Sequence, residues 1–206
     1  MLTNSRSTRT IASDPPYAET PPTRVPIPGR EIMVQSWYQG GVSLVDFTDA
    51  EHPIEVGYFD RGPVDETKHI IGGQWSTYWY NGYIYGSEIA RGVDVFQLLP
   101  SKYITQHEID AAKLVQVAEL NVQNQQKFTW PSNFVVAHAY LDQLARGDSL
   151  TADRIAALNA AISKAEASHS KGKELKAMAA GLEKDAASAK TPADAQRIHA
   201  LAEIMK

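Results

Sequence analysis

The sequence of 206 residues contains no cysteine. Disulfide bonds, thiolate nucleophiles and cysteine-based zinc sites are therefore excluded, although this absence does not identify a cellular compartment. The chain has no dense run of Lys or Arg, and its formal net charge of −4 gives no electrostatic attraction for nucleic acid or an anionic membrane. No apolar run approaches the roughly 18 residues of a membrane-spanning helix. We therefore predict neither a nucleic-acid partner nor a membrane span.

Motifs for catalysis and for cofactor binding are also missing. No GxSxG, HExxH, P-loop or Rossmann glycine pattern occurs in the sequence. Five of the six histidines are scattered without the spacing of metal ligands, namely His52, His107, His138, His169 and His199. The sequence thus predicts no catalytic residue, no metal ligand and no cofactor.

The first 30 residues are rich in Pro, Ser, Thr and Arg and lack the apolar middle of a signal peptide. As written, the chain therefore carries no export signal. This composition favours an extended chain that buries little apolar surface. We expect residues 1–30 to form a Pro-rich, weakly ordered N-terminal segment that lies along the surface.

Residues 31–100 are rich in Val, Ile, Tyr, Trp and Phe, punctuated by Gly, which is typical of strands and turns. The pair Asn81-Gly82 is a strong signal for a two-residue hairpin, because both residues tolerate the positive φ of a type I′ turn. We predict strands near 31–36, 42–47, 54–59, 75–80, 83–87 and 93–97.

Residues 101–206 turn to Ala, Leu, Lys, Glu and Gln and predict a helical C-terminal extension. A capping box at Thr105 and Glu108 predicts a helix to about Ala118, and Pro131-Ser132 precedes a second helix that runs to about Arg146 and is closed by Gly147. Leu150 and Ile155 form a hydrophobic staple around Thr151, which predicts a third helix start. Thr191-Pro192 predicts a fourth, with proline at the first helical position. Apolar stripes recur at three- or four-residue spacing in Ile155, Leu158 and Ile162, in Leu175, Met178 and Leu182, and in Ile198, Leu201 and Met205. We expect these stripes to pack into an Ala-rich helical hairpin or three-helix unit.

An internal repeat links two stretches of the strand-rich region. Residues 31–47 align without a gap on residues 82–98, which places Gly41 on Gly92 and Ser36 on Ser87. Two unrelated Gly-Val strands could match by chance, but a gapless match with alternating apolar residues favours one supersecondary unit used twice. In a strand-rich context, such a period points to propeller blades.

The stretch GVSLVDFTDAEHPIEVG, residues 41–57, resembles the LVIVD-repeat family of β-propellers. Asp46, Thr48-Asp49, Pro53 and Val56-Gly57 fall on the motif positions. Ala50 departs from the proline usual in the family, and the second copy, GVDVFQLLP, keeps the strand but loses the turn. The resemblance covers about residues 31–99 and implies the C-terminal portion of a longer exported bacterial member, so that the parent protein would be extracytoplasmic or at the cell surface. The expected fold class is α+β, with a partial β-propeller of about one and a half to two antiparallel blades followed by the all-α extension.

One and a half to two blades cannot close a ring, because propellers close with about four to eight. Three alternatives remain open: a piece of a longer protein, a truncated gene product, or an oligomer that completes a ring. We favour truncation. The expected partners are the remaining blades of a parent chain or other copies of this one.

Aromatic residues between positions 75 and 85 form the first candidate binding site, because aromatic platforms can stack sugars or other flat ligands. Strand alternation predicts that Trp75 and Trp79 share one face while Tyr78 and Tyr80 share the other, with at least one set buried between blades. Five carboxylates could in principle bind calcium, although turn capping is the stronger interpretation: Asp46, Asp49, Asp60, Asp65 and Glu66.

The second candidate is a polar set at the blade ends. His69 would line the central channel together with Glu88 and Arg91 if the blade folds as proposed, and we take these three with Trp75 as the candidate ligand-binding residues. The function that we expect is a non-enzymatic binding or scaffold module with a protein or carbohydrate ligand. The alternative is an extracytoplasmic propeller enzyme, hydrolase or lactonase-like, whose active site needs residues absent from this chain.

Overall fold

A computed structural model describes residues 24–121 and 127–206. The protein is α+β and divides into two compact units. The β unit contains residues 30–98 with short flanking segments, and the helical unit contains Leu99–Val115, Thr129–Lys206 and the short piece Ile27–Gly29. In the described part of the chain, no helix is both long and apolar enough to cross a membrane.

Two antiparallel sheets make up the β unit. Sheet 1 has the order β1-β2-β3-β4, and sheet 2 has the order β5-β6-β7. The strands are β1 (Arg24–Val25), β2 (Ile32–Ser36), β3 (Val42–Asp46), β4 (Ile54–Phe59), β5 (Gln74–Tyr80), β6 (Tyr83–Glu88) and β7 (Gly92–Phe96). All six predicted strands are confirmed to within about two residues. The strand β1 was not predicted.

Tight turns set the registers of both sheets. Asn81 and Gly82 have φ of 46° and 100°, and Tyr80 pairs with Tyr83, which confirms the predicted two-residue hairpin. At the start of β3, a side chain on Gly41 would collide with the backbone of Phe59. Glycine is therefore required at position 41 by the close approach of β4, whereas at the equivalent Gly92 the φ of 98° is what favours glycine.

The core of the β unit lies between one face of each sheet, the inner faces. Sheet 1 contributes six buried aliphatic side chains, and Trp79 and Ile84 are buried on sheet 2. The six are Val25, Ile32, Val34, Val42, Leu44 and Val56. The rings of Phe59 on β4 and Phe96 on β7 lie 4.8 Å apart, so the two inner faces meet across this core.

Residues 24–30 differ from the expected weakly ordered surface segment. Arg24 and Val25 pair with β2, and Val25 and Ile27 are buried. Gln143 donates a hydrogen bond from Nε2 to the Pro28 carbonyl at 2.8 Å, which holds Ile27–Gly29 within the helical unit. These long-range contacts override the local composition. The rest of the predicted segment lies outside the described residues.

Five helices form the helical unit: α1 (Gln106–Lys113), α2 (Phe134–Arg146), α3 (Ala152–Ala167), α4 (Lys173–Ala187) and α5 (Pro192–Met205). The predicted caps are confirmed at Thr105, Thr151 and Thr191, where each hydroxyl accepts a backbone N–H of the first turn. Helix α2 contacts α1, α3 and α5, and the predicted apolar stripes pack in one core, where only Ile155 and Met178 among them stay partly exposed.

Helix α1 ends at Lys113, about five residues before the predicted end at Ala118. The side chain of Asn81 explains the difference. Its Nδ2 donates to the Val117 carbonyl at 3.0 Å, and its Oδ1 accepts the Val117 N–H at 2.9 Å. Asn81 therefore pairs with Val117 as a neighbouring strand would, and it takes the backbone groups that a longer helix would use.

Candidate binding surfaces

Glu88 lies at the end of β6, where its carboxylate is almost fully buried. One oxygen accepts the Gly73 N–H at 3.0 Å and the other accepts the Ala90 N–H at 2.8 Å. Arg91 reaches the same carboxylate at 3.4 Å and donates to the Pro63 carbonyl at 2.9 Å. Glu88 and Arg91 are thus in contact, and both hold neighbouring loops in place.

His69 is exposed in the connection between β4 and β5. In the described part of the chain, no hydrogen bond or ion pair joins His69 to Glu88 or Arg91. Glu88 points instead to the backbone of Gly73 and Ala90. The structure therefore brings together two of the predicted polar residues and leaves the third apart from them.

Trp75 occupies a β-bulge. Gln74 pairs with Glu88 and Ser76 pairs with Ser87, so Trp75 is an extra residue on β5. The bulge shifts the alternation of side chains between the two faces of β5. Trp75 is therefore 63% exposed, while Trp79 is 3% exposed. The prediction that Trp75 and Trp79 share a face is therefore wrong. A bulge re-aims a side chain in this way without any signal in the residue types.

The exposed indole of Trp75 packs on the ring of Tyr38. Their centroids are 5.4 Å apart, with an interplanar angle of 32°. Tyr38 also forms an isolated bridge with Gly73, and the Gln74 N–H donates to the Trp37 carbonyl at 3.0 Å. Backbone pairing on both sides thus fixes an exposed aromatic pair at the sheet ends. Its two flat faces suit an apolar or pyranose ring.

The inner face of β5 carries polar groups in addition to Trp79. Gln74 is buried and donates from Nε2 to Asp94 at 2.7 Å, and Arg61 donates to the other oxygen of Asp94 at 2.5 Å. Within the described residues, three buried atoms on this face have no hydrogen-bond partner: Gln74 Oε1, Thr77 Oγ1 and Trp79 Nε1. Burial of such groups without a partner costs free energy.

The opposite face of sheet 2 is largely exposed among the described residues and is named here the open tyrosine face, although the Tyr80 hydroxyl on it donates to the Ala118 carbonyl at 3.3 Å. Directly paired residues share a face, and the pairs Tyr80–Tyr83, Tyr78–Tyr85 and Tyr85–Val95 place these side chains together. Tyr83, Tyr85, Val93 and Val95 are all exposed. Exposed apolar patches of this kind mark interaction sites on soluble domains.

The two sheets repeat with one register. Val34 pairs with Leu44, and the residues 51 positions later, Tyr85 and Val95, also pair. The same holds for Ser36–Val42 and Ser87–Val93. The gapless sequence match between β2–β3 and β6–β7 is therefore matched by identical strand pairing.

The repeated positions differ in their environment. Val34 and Leu44 are buried on the inner face of sheet 1, whereas their equivalents Tyr85 and Val95 belong to the open tyrosine face. Conversely, Ile84 on the inner face of sheet 2 corresponds to Met33. Met33 lies on the face of sheet 1 opposite to Val34 and Leu44, which is named here the outer face of sheet 1. The sheets thus meet through non-equivalent faces, as two units do when they follow one another in a stack.

The acidic turn residues act as backbone caps. Asp46 accepts the Thr48 N–H at 2.9 Å, Asp49 accepts the Glu51 N–H at 3.0 Å, and Asp60 accepts the Gly62 N–H at 2.8 Å. The hydrogen bond from His52 lowers the pKa of Asp49 and raises the pKa of His52. Asp65 accepts the N–H groups of Thr67 and Lys68. These contacts confirm the turn-capping interpretation for these four residues.

Sequence spacing did not reveal two polar clusters in the helical unit. The imidazoles of His107 and His138 stack at 4.8 Å, although 31 residues separate them. The fully buried Glu108 is held by Arg146 at 2.5 Å and also caps the N–H of Thr105 at 2.7 Å. Only the packing of α1 on α2 brings these partners together. No cluster of three or more potential metal ligands occurs among the described residues.

Comparison of the chain with protein-family models, with curated proteins and with solved structures gave no match. Function is therefore inferred from the residues and contacts described above.

Proposed function

We propose that this chain is a non-enzymatic binding or scaffold module of the LVIVD-repeat propeller type, in which successive sheets stack face to face. The proposal includes an extracytoplasmic or cell-surface location of a bacterial parent protein, as the resemblance implies. The partners are further sheets of the same kind, supplied by a longer chain or by other copies.

One observation carries this proposal: the two repeats share their strand register but bury opposite faces. In an isolated two-sheet sandwich, each sheet needs one apolar face. Here the open tyrosine face of sheet 2 carries Val93, Val95 and tyrosine rings beside Ser76 and Ser87, so sheet 2 presents apolar side chains on both sides. This pattern supports a unit that lies between two neighbours, because interface burial stabilises each unit of a repeat array.

The aromatic pair Tyr38–Trp75 is the proposed ligand contact of the module. Both rings are exposed and pack on each other, and backbone pairing beside them holds them in position. A carbohydrate or an apolar protein side chain is the class of ligand that such a surface binds. Arg91 and Glu88 support the neighbouring loop, and His69 is exposed on the connection that precedes it.

The chemistry of Glu88 favours binding over hydrolysis. Both of its oxygens accept backbone N–H groups, and Arg91 contacts the same carboxylate. A general base instead needs a carboxylate oxygen within reach of a substrate proton. Catalysis by Glu88 would require the loop contacts to break.

A tandem chain tests the proposed stacking. An extra copy of residues 24–98 is joined through a Gly/Ser linker to the N-terminus of the full chain, so that its open tyrosine face can meet the outer face of sheet 1. We expect one cooperative unfolding transition at higher urea than for the single chain, because the linker gives a high effective concentration. The control tandem carries Tyr85→Lys and Val95→Lys in the added copy and should lose the gain. Equal stability of the two tandems would contradict the proposed function.

A further inference from the structure

We propose that separate copies of this chain associate head to tail, with the open tyrosine face of one copy covering the outer face of sheet 1 of the next. This proposal rests on the proposed function, and it names a second copy of the same chain as the partner of that surface. The interface is heterologous, because two different faces of the protein meet in it.

The contact between the two sheets within one chain supplies the template. There, the inner face of sheet 1, with Val34 and Leu44, packs on the inner face of sheet 2, with Ile84 and Phe96. The equivalents of Val34 and Leu44 in the second repeat are Tyr85 and Val95, which lie on the open tyrosine face. The open tyrosine face therefore contains the repeat positions that, in sheet 1, pack against another sheet.

The outer face of sheet 1 is the matching surface. At the positions of Ile84 and Phe96 it carries Met33 and Val45, which pair with each other across β2 and β3. Both are apolar and only half-buried. Two apolar positions of the row that sheet 2 uses inside the chain are thus present on the outer face of sheet 1, where they can pack on tyrosine and valine side chains. Arg24 pairs with Met33 and Glu55 pairs with Val45, so a charged residue lies at each end of this row.

The outer face of sheet 1 also contains an exposed aromatic residue. Tyr58 pairs with Ser43 on this face and is 76% exposed, although it lies within strand β4. The hydroxyl of Ser43 is already engaged, since it accepts from Trp37 and donates to Glu55. A partner sheet would therefore bury Tyr58 without leaving the Ser43 hydroxyl unpaired.

A heterologous interface has a consequence that a symmetric one lacks. Every copy carries one open tyrosine face and one outer face, so association continues until a ring closes or a filament grows. A copy with one damaged face can still use the other face. Two variants with damage to different faces should therefore form a dimer that stops at two chains.

The experiment uses Val95→Lys, which charges the open tyrosine face, and Tyr58→Lys, which charges the outer face of sheet 1. Both positions are exposed, so the fold should persist, which circular dichroism checks for each variant. Leu99→Lys, at a residue that is 74% exposed and outside both faces, is the matched control. The full-length proteins are examined by sedimentation velocity over a concentration series.

The proposal expects the native chain and Leu99→Lys to form larger species as concentration rises. Each single face variant should be monomeric, with its dissociation constant raised about tenfold or more. An equimolar mixture of Val95→Lys and Tyr58→Lys should give a 1:1 dimer. The proposal is overturned if the native chain is monomeric throughout, if Tyr58→Lys associates like the native chain, or if the mixture stays monomeric. A stabilised tandem with no association of separate copies would refute this inference alone and leave the proposed function standing.

Discussion

Val34 and Tyr85 occupy the same position in the two repeats, yet Val34 is 3% exposed and Tyr85 is 37% exposed. Each pairs with its equivalent neighbour, Leu44 or Val95. The pairing and the sequence position are the same, and only the side of the sheet that meets another sheet differs. The environment of a repeat residue therefore depends on which face of its sheet meets the other sheet.

This difference predicts unequal costs of truncation at equivalent positions. Val34→Ala should lower the free energy of unfolding by about 2 kcal/mol, because it removes buried methyl groups from the inner face. Tyr85→Ala should cost less than about 1 kcal/mol, since its ring contacts only Tyr80 among described aromatic rings. Urea denaturation of the two variants at one low protein concentration measures both values. Equal losses would show that the two faces are buried alike.

The bulge at Trp75 predicts different environments for two tryptophans on one strand. Trp75→Phe should remove much of the iodide-quenchable tryptophan fluorescence, because Trp75 is exposed. Trp79→Phe should remove emission that iodide does not quench, because Trp79 is buried. The two proteins serve as controls for each other. If both substitutions remove emission that iodide quenches equally, the bulge is absent and Trp75 and Trp79 lie on the same face of the strand.

The buried carboxylate of Glu88 predicts a stability loss for a nearly isosteric substitution. In Glu88→Gln, the amide group would place N–H donors against the N–H groups of Gly73 or Ala90. We expect a loss of about 2 kcal/mol, as for other buried hydrogen bonds to charged groups. The exposed Glu66→Gln is the control, and denaturant titration at neutral pH is the measurement. An unchanged midpoint for Glu88→Gln would mean that the carboxylate does not hold these loops.

Asp194, in the first turn of α5, predicts an acid-sensitive step in the helical unit. Burial alone would raise its pKa, but hydrogen bonds from Ser149, Thr191 and Arg197 outweigh burial and hold the pKa below the usual range. The unfolded chain then binds this proton at higher pH than the folded one. The stabilisation is therefore fully present above the unfolded pKa of about 4 and is lost as pH falls through the lower folded pKa.

In Asp194→Asn, the free energy of unfolding at neutral pH should fall by about 1 kcal/mol, and its decline between about pH 5 and pH 3 should become shallower. The control is Asp148→Asn, at an exposed loop residue whose positive φ also suits asparagine. Urea titrations across this pH range give the comparison. An acid limb as steep in Asp194→Asn as in the native chain would contradict the assignment.

Local chemistry predicted much of the fold. Alternating Val, Ile and Tyr residues located six strands, Asn81-Gly82 located a hairpin, and the threonine caps located three helix starts. Each of these signals acts within a few residues, so one sequence is enough to read it.

Long-range contacts explain what was not predicted. Strand β1 is only two residues long and exists because β2 pairs with it. The end of α1 depends on Asn81, which lies 36 residues from Val117. The exposure of Trp75 depends on a register shift against β6, and the stacking of His107 on His138 depends on helix packing. None of these relationships has a local signature.

The inner faces of sheets 1 and 2 pack against each other through Phe59 and Phe96, and a double-mutant cycle on these two residues tests this packing most directly. Urea denaturation is measured for Phe59→Ala, Phe96→Ala and the double variant. Phe59→Ala combined with Tyr85→Ala is the reference, because Tyr85 lies on the face of sheet 2 opposite to that of Phe96. The account predicts a coupling of about 1 kcal/mol for Phe59 and Phe96, as for other aromatic pairs, and additivity within about 0.5 kcal/mol for Phe59 and Tyr85. Additive losses at Phe59 and Phe96 would contradict the stacking of the sheets through these faces.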